Sequence, residues 1–114
     1  MRVIEWTPDG IDSLNEILEF YIEKAGETVA NNIYDNILKE IELLKNDKIK
    51  TKKTQELKDL GIFDVYELTI NPWKVFYKIK NDNKKAILFV LDARRNIEEI
   101  LISKVIDNKR AYAS

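Results

Sequence analysis

The apolar spacing changes near Gly61, from the three- and four-residue recurrence of a helix to the runs and alternation of strands. This confines the chain to an α+β fold with helices and sheet segregated along the sequence. Before the change, Ile11, Leu14, Ile17, Leu18, Tyr21, Ile22 and Ala25 make one stripe, with Asp12, Glu16, Glu19 and Glu23 between them. The pattern predicts an amphipathic helix, with Thr7 as its N-cap, Pro8 in its first turn and Gly26 as its C-cap glycine. A second helix is predicted from about Thr28, on the stripe Val29, Ile33, Ile37, Ile41 and Leu44. So short a connection makes the pair an antiparallel hairpin. Ahead of it, Arg2 to Trp6 reads as a short strand stopped by Thr7-Pro8.

Beyond Gly61, residues 62–70, 73–80 and 85–91 are rich in β-branched and aromatic side chains and are separated by Asn71-Pro72 and by residues 81–84. They predict a three-strand antiparallel meander. The middle strand alternates, with Trp73, Val75, Tyr77 and Ile79 on one face and Lys74, Phe76, Lys78 and Lys80 on the other. The last is apolar from Ala86 to Leu91, as suits an interior strand covered on both faces. Asn96 and Glu99 have the spacing of a capping box, so a short C-terminal helix is expected to about Ile106. Between hairpin and meander, residues 46–60 lose the helical stripe and gain Lys48, Lys50, Lys52, Lys53 and Lys58, which reads as a basic loop.

At 114 residues and 45% hydrophobic content the chain has material for one core, so residues 1–107 are expected to form a single domain and residues 108–114 a loose tail. No apolar run approaches the roughly 20 residues that cross a bilayer, and the N-terminus lacks a secretory pattern, so the expected location is the cytoplasm, with no membrane partner. Cysteine and histidine are both absent, which removes thiolate nucleophiles and the usual zinc, copper and haem ligand sets. No metal or other cofactor is expected, and any catalysis must use Lys, Arg, Tyr, Asp or Glu. The formal charge of -1 conceals an asymmetry, because residues 1–47 carry 4 basic and 11 acidic groups while residues 48–114 carry 15 basic and 9 acidic. A partner feels the local potential, which decays over about 8–10 Å at physiological salt, so the basic half decides more than the total.

The order strand, helix hairpin, basic loop, meander and short helix, with the segments Trp73-Lys74-Val75-Phe76-Tyr77-Lys78-Ile79 and Val90-Leu91-Asp92-Ala93-Arg94-Arg95, resembles the RelE/ParE family of toxins from type II toxin-antitoxin modules. The resemblance spans about Val3 to Ile106. It implies a protein that arrests growth when free and is held inactive by a cognate antitoxin, with a heterotetramer among the assemblies it allows. One branch cleaves mRNA on the ribosome and the ParE-like branch inhibits DNA gyrase. In the RNase branch, sheet cations and a C-terminal tyrosine act on the scissile phosphate. Aligned on the Arg-Arg turn, that tyrosine position falls at Leu101, and the reacting-phosphate arginine at Arg95.

An RNase of this kind needs a base for the ribose 2′-OH and fixed cations for the charge growing on phosphate. Arg95, Lys74, Lys52 and Lys53 are the catalytic candidates for that reading. Arg94, Arg95, Lys74, Trp73, Lys78 and Leu101 are the candidates for binding a target or partner. The plainer readings stand beside these: a turn pair bonded to Glu98 and Glu99, a solvated lysine loop, and Trp73 either capping the core or meeting a partner. Tyr66 and Tyr77 read as packing residues, and the acidic helix faces as solvated surface. An acidic antitoxin tail is expected on the basic sheet side and C-terminal helix, residues 62–106. Leucine at position 101 can neither donate nor accept a proton, which favours gyrase inhibition; mRNA cleavage and a non-toxic antitoxin-binding co-repressor are the alternatives.

Overall fold

The structure, a computed structural model, describes residues 3–46, 52–53, 58, 64–81, 84–95, 99–100 and 103. Strand β1 (Val3–Trp6) leads into helix α1 (Pro8–Ala25) and helix α2 (Glu27–Glu42), which ends in a 3-10 turn over Leu43–Lys45. Four more strands follow: β2 (Lys52–Lys53), β3 (Val65–Ile70), β4 (Trp73–Asn81) and β5 (Lys84–Asp92). They form one five-stranded sheet in the order β1-β5-β4-β3-β2, with β1 parallel to β5 and the other pairs antiparallel. The meander is therefore the centre of a larger sheet, extended by β1 at one edge and by β2 at the other. Of the segment expected to form a final helix, only Glu99, Ile100 and Ser103 are described; the rest of it, Leu101 included, and the tail 108–114 lie outside the described residues.

The helix boundaries follow the local chemistry. Thr7 caps α1, its Oγ1 accepting a hydrogen bond from Gly10 N at 3.0 Å, and Pro8 occupies the first turn, where its missing N–H costs nothing. Gly26 joins the helices at φ 90°, in a region that other residues rarely enter; its N–H donates to Ile22 O at 3.0 Å and its carbonyl accepts from Ala30 N at 3.2 Å. One residue thus ends α1 and starts α2.

Helix α1 docks on β5 at a bulge. Phe76 pairs with Phe89 while Tyr77 pairs with Ile87, which leaves Leu88 as an extra residue in β5. Here the β5 backbone turns to α1: Thr7 N and Thr7 Oγ1 both donate to Ile87 O, at 3.1 and 2.8 Å, and Val90 N donates to Ser13 Oγ at 2.9 Å. Ser13 Oγ in turn donates to Gly10 O at 2.9 Å. A Cβ on Gly10 would lie 2.5 Å from Ile87 O, so glycine is what allows the approach.

Both faces of the sheet are covered at β5, as its unbroken apolar run predicts. On the helix side Leu14, Ile37, Ile41 and Leu44 pack on Leu68, Ile70, Trp73, Val75, Tyr77, Ile87 and Val90. On the other side Val65, Phe76, Phe89 and Leu91 form a second cluster, with Leu88 and Ile100 against it. Lys85 is buried on the helix side, where its Nζ donates to Leu44 O at 2.6 Å and lies 5.6 Å from the centre of the Tyr77 ring.

Candidate functional site

The end of β5 is fixed before any side chain reaches solvent. Ala93 N donates to Pro72 O at 2.8 Å and Arg95 N to Asp92 O at 3.1 Å, which sets the turn carrying the two arginines. Asp92 then holds Arg94. Its Oδ1 accepts from Arg94 N at 2.9 Å and from Nε at 2.9 Å, while Oδ2 accepts from Nη2 at 2.6 Å. Arg94 Nη2 also reaches the Tyr21 hydroxyl at 3.3 Å, and the Tyr21 ring stands edge-on to Trp73 with centroids 5.7 Å apart. The hydrogen bond from Arg94 keeps the Asp92 carboxyl below the ordinary carboxylate range, outweighing partial burial, and the same bond keeps Arg94 above its usual value. Arg94 is a latch between α1 and the turn.

Beside the latch runs a groove of about 370 Å³ between α1 and the end of β5, with Ile17, Phe20 and Tyr21 on one wall, Trp73 at its base and Arg94 and Arg95 at its mouth. Phe20 is 53% exposed there. Trp73, offered by the sequence as a core cap or a partner contact, is 4% exposed, so most of its ring belongs to the core. Arg95 has no ion pair among the described residues.

The opposite face carries a different constellation. Glu67, in the middle of β3, is 4% exposed, and its Oε1 lies 3.2 Å from Lys52 Nζ and 3.7 Å from Lys74 Nζ. Its Oε2 is buried without a hydrogen-bond partner among the described residues. Lys78, further along the same face of β4, pairs with Asp64 at 3.0 Å. Lys53 points the other way. It opposes Tyr66 in the register, its Nζ is 5.7 Å from the Tyr66 ring, and Tyr66 stacks on Tyr77 in the helix-side core.

The four catalytic candidates are thus divided: Lys52 and Lys74 share Glu67 on one face, Lys53 lies on the other at the far edge of the sheet, and Arg95 lines the α1 groove. Sequence reasoning missed Glu67, which engages Lys52 and Lys74, and the pair Asp92 and Tyr21, which engage Arg94. Two signals were present: Asp92 sits two residues before Arg94, and Glu67 is a lone acid within an otherwise apolar and β-forming run. No helix among the described residues is long and apolar enough to cross a membrane.

The chain is similar to known proteins in sequence family and in fold. The family model of the ParE toxin of the type II toxin-antitoxin system, parDE, matches residues 4–97. A solved structure, the chromosomal ParDE TA system from P. aeruginosa, superposes with a TM-score of 0.68 and 18% identity, covering 81% of this chain and 96% of that chain; at this identity the likeness is one of fold. No curated protein matches in sequence.

Proposed function

The chain belongs to the ParE toxin family of type II toxin-antitoxin systems, and from that premise we propose that it arrests growth in the cytoplasm by binding and inhibiting DNA gyrase when free of its antitoxin. The observation that carries this reading is the separation of its cations. Cleavage of RNA at a ribose 2′-OH needs a base and several cations converging within hydrogen-bond reach of one phosphate. Here Lys52 and Lys74 are engaged by Glu67, Arg94 is engaged by Asp92, and Lys53 and Arg95 lie elsewhere. The position of the expected catalytic tyrosine is Leu101. Binding a protein asks for less: an apolar groove with an aromatic anchor and a cation at its rim.

The groove beside Phe20 and Arg95 supplies those features, and it is the surface proposed for protein contacts, whether with an acidic amphipathic segment of the antitoxin or with the target. Purified protein is expected to block supercoiling by purified gyrase and to leave mRNA intact in a translating extract. Codon-positioned cleavage of mRNA on ribosomes would overturn the proposal in favour of the nuclease. Expression of the chain alone is expected to stop growth and co-expression of the adjacent antitoxin to restore it. Full growth with abundant folded protein would instead indicate a co-repressor without toxicity.

A further inference from the structure

The carboxylate of Glu67 has no part in the groove. It sits on the opposite face of the sheet, almost fully buried, with Lys52 and Lys74 drawn onto one of its oxygens. An acid placed inward on a strand is costly unless cations compensate it, and here the compensation comes from the groups that would otherwise make this face attractive to a polyanion. Lys74, with its side chain 24% exposed, is held close to the sheet, while Lys52, at 74%, reaches back from the edge strand. Lys78, the next outward cation on this face of β4, is occupied by Asp64. A face that the sequence reads as cationic is in this way partly neutralised, with three lysines set against the two carboxylates of Glu67 and Asp64.

We infer that Glu67 is a specificity-determining residue that keeps nucleic acid off this face of the sheet. A phosphate bridging Lys52 and Lys74 would have to draw both ammonium groups from Glu67 and then sit within roughly 6–7 Å of a negative charge, in a setting of effective dielectric about 20. That repulsion corresponds to about 10- to 100-fold in affinity. Burial strengthens the effect, because salt screens the Glu67 carboxylate less than a surface charge. The inference concerns RNA binding alone and holds whether or not gyrase is the target.

The test is fluorescence anisotropy with a labelled single-stranded RNA oligonucleotide, using the full chain and its Glu67→Gln variant, at about 50 mM and 200 mM salt. Glu67→Gln keeps the size of the side chain and one acceptor oxygen and removes its charge. It is expected to bind the RNA at least about tenfold more tightly than wild type, with a steeper salt dependence, and adding Lys74→Ala is expected to reverse the gain. Equal binding by wild type and Glu67→Gln would overturn the inference. So would cleavage of the RNA by wild type that Glu67→Gln abolishes, which would make the carboxylate a base. If Glu67→Gln does not fold, Lys74→Ala in the otherwise unchanged chain decides: unchanged weak RNA binding supports neutralisation, and a loss of about fivefold or more refutes it. A gyrase supercoiling assay on the same proteins reports separately on the proposed toxin activity.

Discussion

A lysine with 6% of its surface exposed is unusual enough to require a partner at its ammonium, and Lys85 finds one in the carbonyl of Leu44, in the middle of the 3-10 turn that follows α2. Replacing it by methionine would keep the chain length and leave that carbonyl without this donor. Lys85→Met is expected to lower unfolding free energy by about 1–3 kcal/mol, read from the urea midpoint at unchanged m-value. Asp92 gives a pH-dependent counterpart. Its carboxyl is held low by Arg94, so its contribution to stability is present above the unfolded carboxylate value of about 4 and is lost as pH falls through the lower folded value. Thermal melts of wild type should therefore show an acid-side loss below about pH 4 that is smaller in Asp92→Asn, which has already lost the contribution at neutral pH. Neither partner choice was legible beforehand: the sequence shows an acid two residues from an arginine, but not that the pair also reaches Tyr21.

At the scale of elements, α1 and β5 meet through glycine and hydroxyl chemistry rather than apolar packing alone. Alanine is the better helix former by about 1 kcal/mol, yet Gly10→Ala is expected to destabilise the protein by about 1–3 kcal/mol, because its methyl would lie 2.5 Å from Ile87 O and push the helix away. Ser13→Ala should cost about 1–3 kcal/mol by taking the acceptor from Val90 N. Chemical denaturation of both variants checks this, and a Gly10→Ala protein as stable as wild type would show that the close contact is tolerated. The helices and the middle strand were legible because each repeats a period several times, and the caps and the other two long strands because their residue types mark them. The bulge at Leu88 was not, since a slip of one residue leaves no mark in a run that is apolar at every position. Strand β2 was missed for a related reason: Lys52 and Lys53 are too few to carry a period, and only the register with Glu67 and Tyr66 makes them a strand.

For the whole molecule, the sheet sorts the basic half into two surfaces that the sequence presents as one. Alternation along β4 correctly separated Lys74 and Lys78 from Trp73 and Tyr77, but the facing of Arg95 and the neutralisation of Lys74 depend on contacts between distant segments. This division yields opposite expectations for two cations that a nuclease would use together. If the protein inhibits gyrase through the α1 groove, Arg95→Ala removes a rim cation that has no ion pair among the described residues and should weaken inhibition of supercoiling by about 1–2 kcal/mol, roughly 5- to 30-fold in the inhibitory concentration. Lys74→Ala, on the far face and already engaged by Glu67, should leave inhibition within about twofold of wild type. In a nuclease, by contrast, both cations would stabilise the same developing phosphate charge, and either substitution would cost about 100- to 1,000-fold in cleavage. Titrating wild type, Arg95→Ala and Lys74→Ala against gyrase therefore tests the geometry as well as the target. Equal, severe losses from both substitutions would mean that the two faces act as one site, and the proposed protein-binding mechanism would fail.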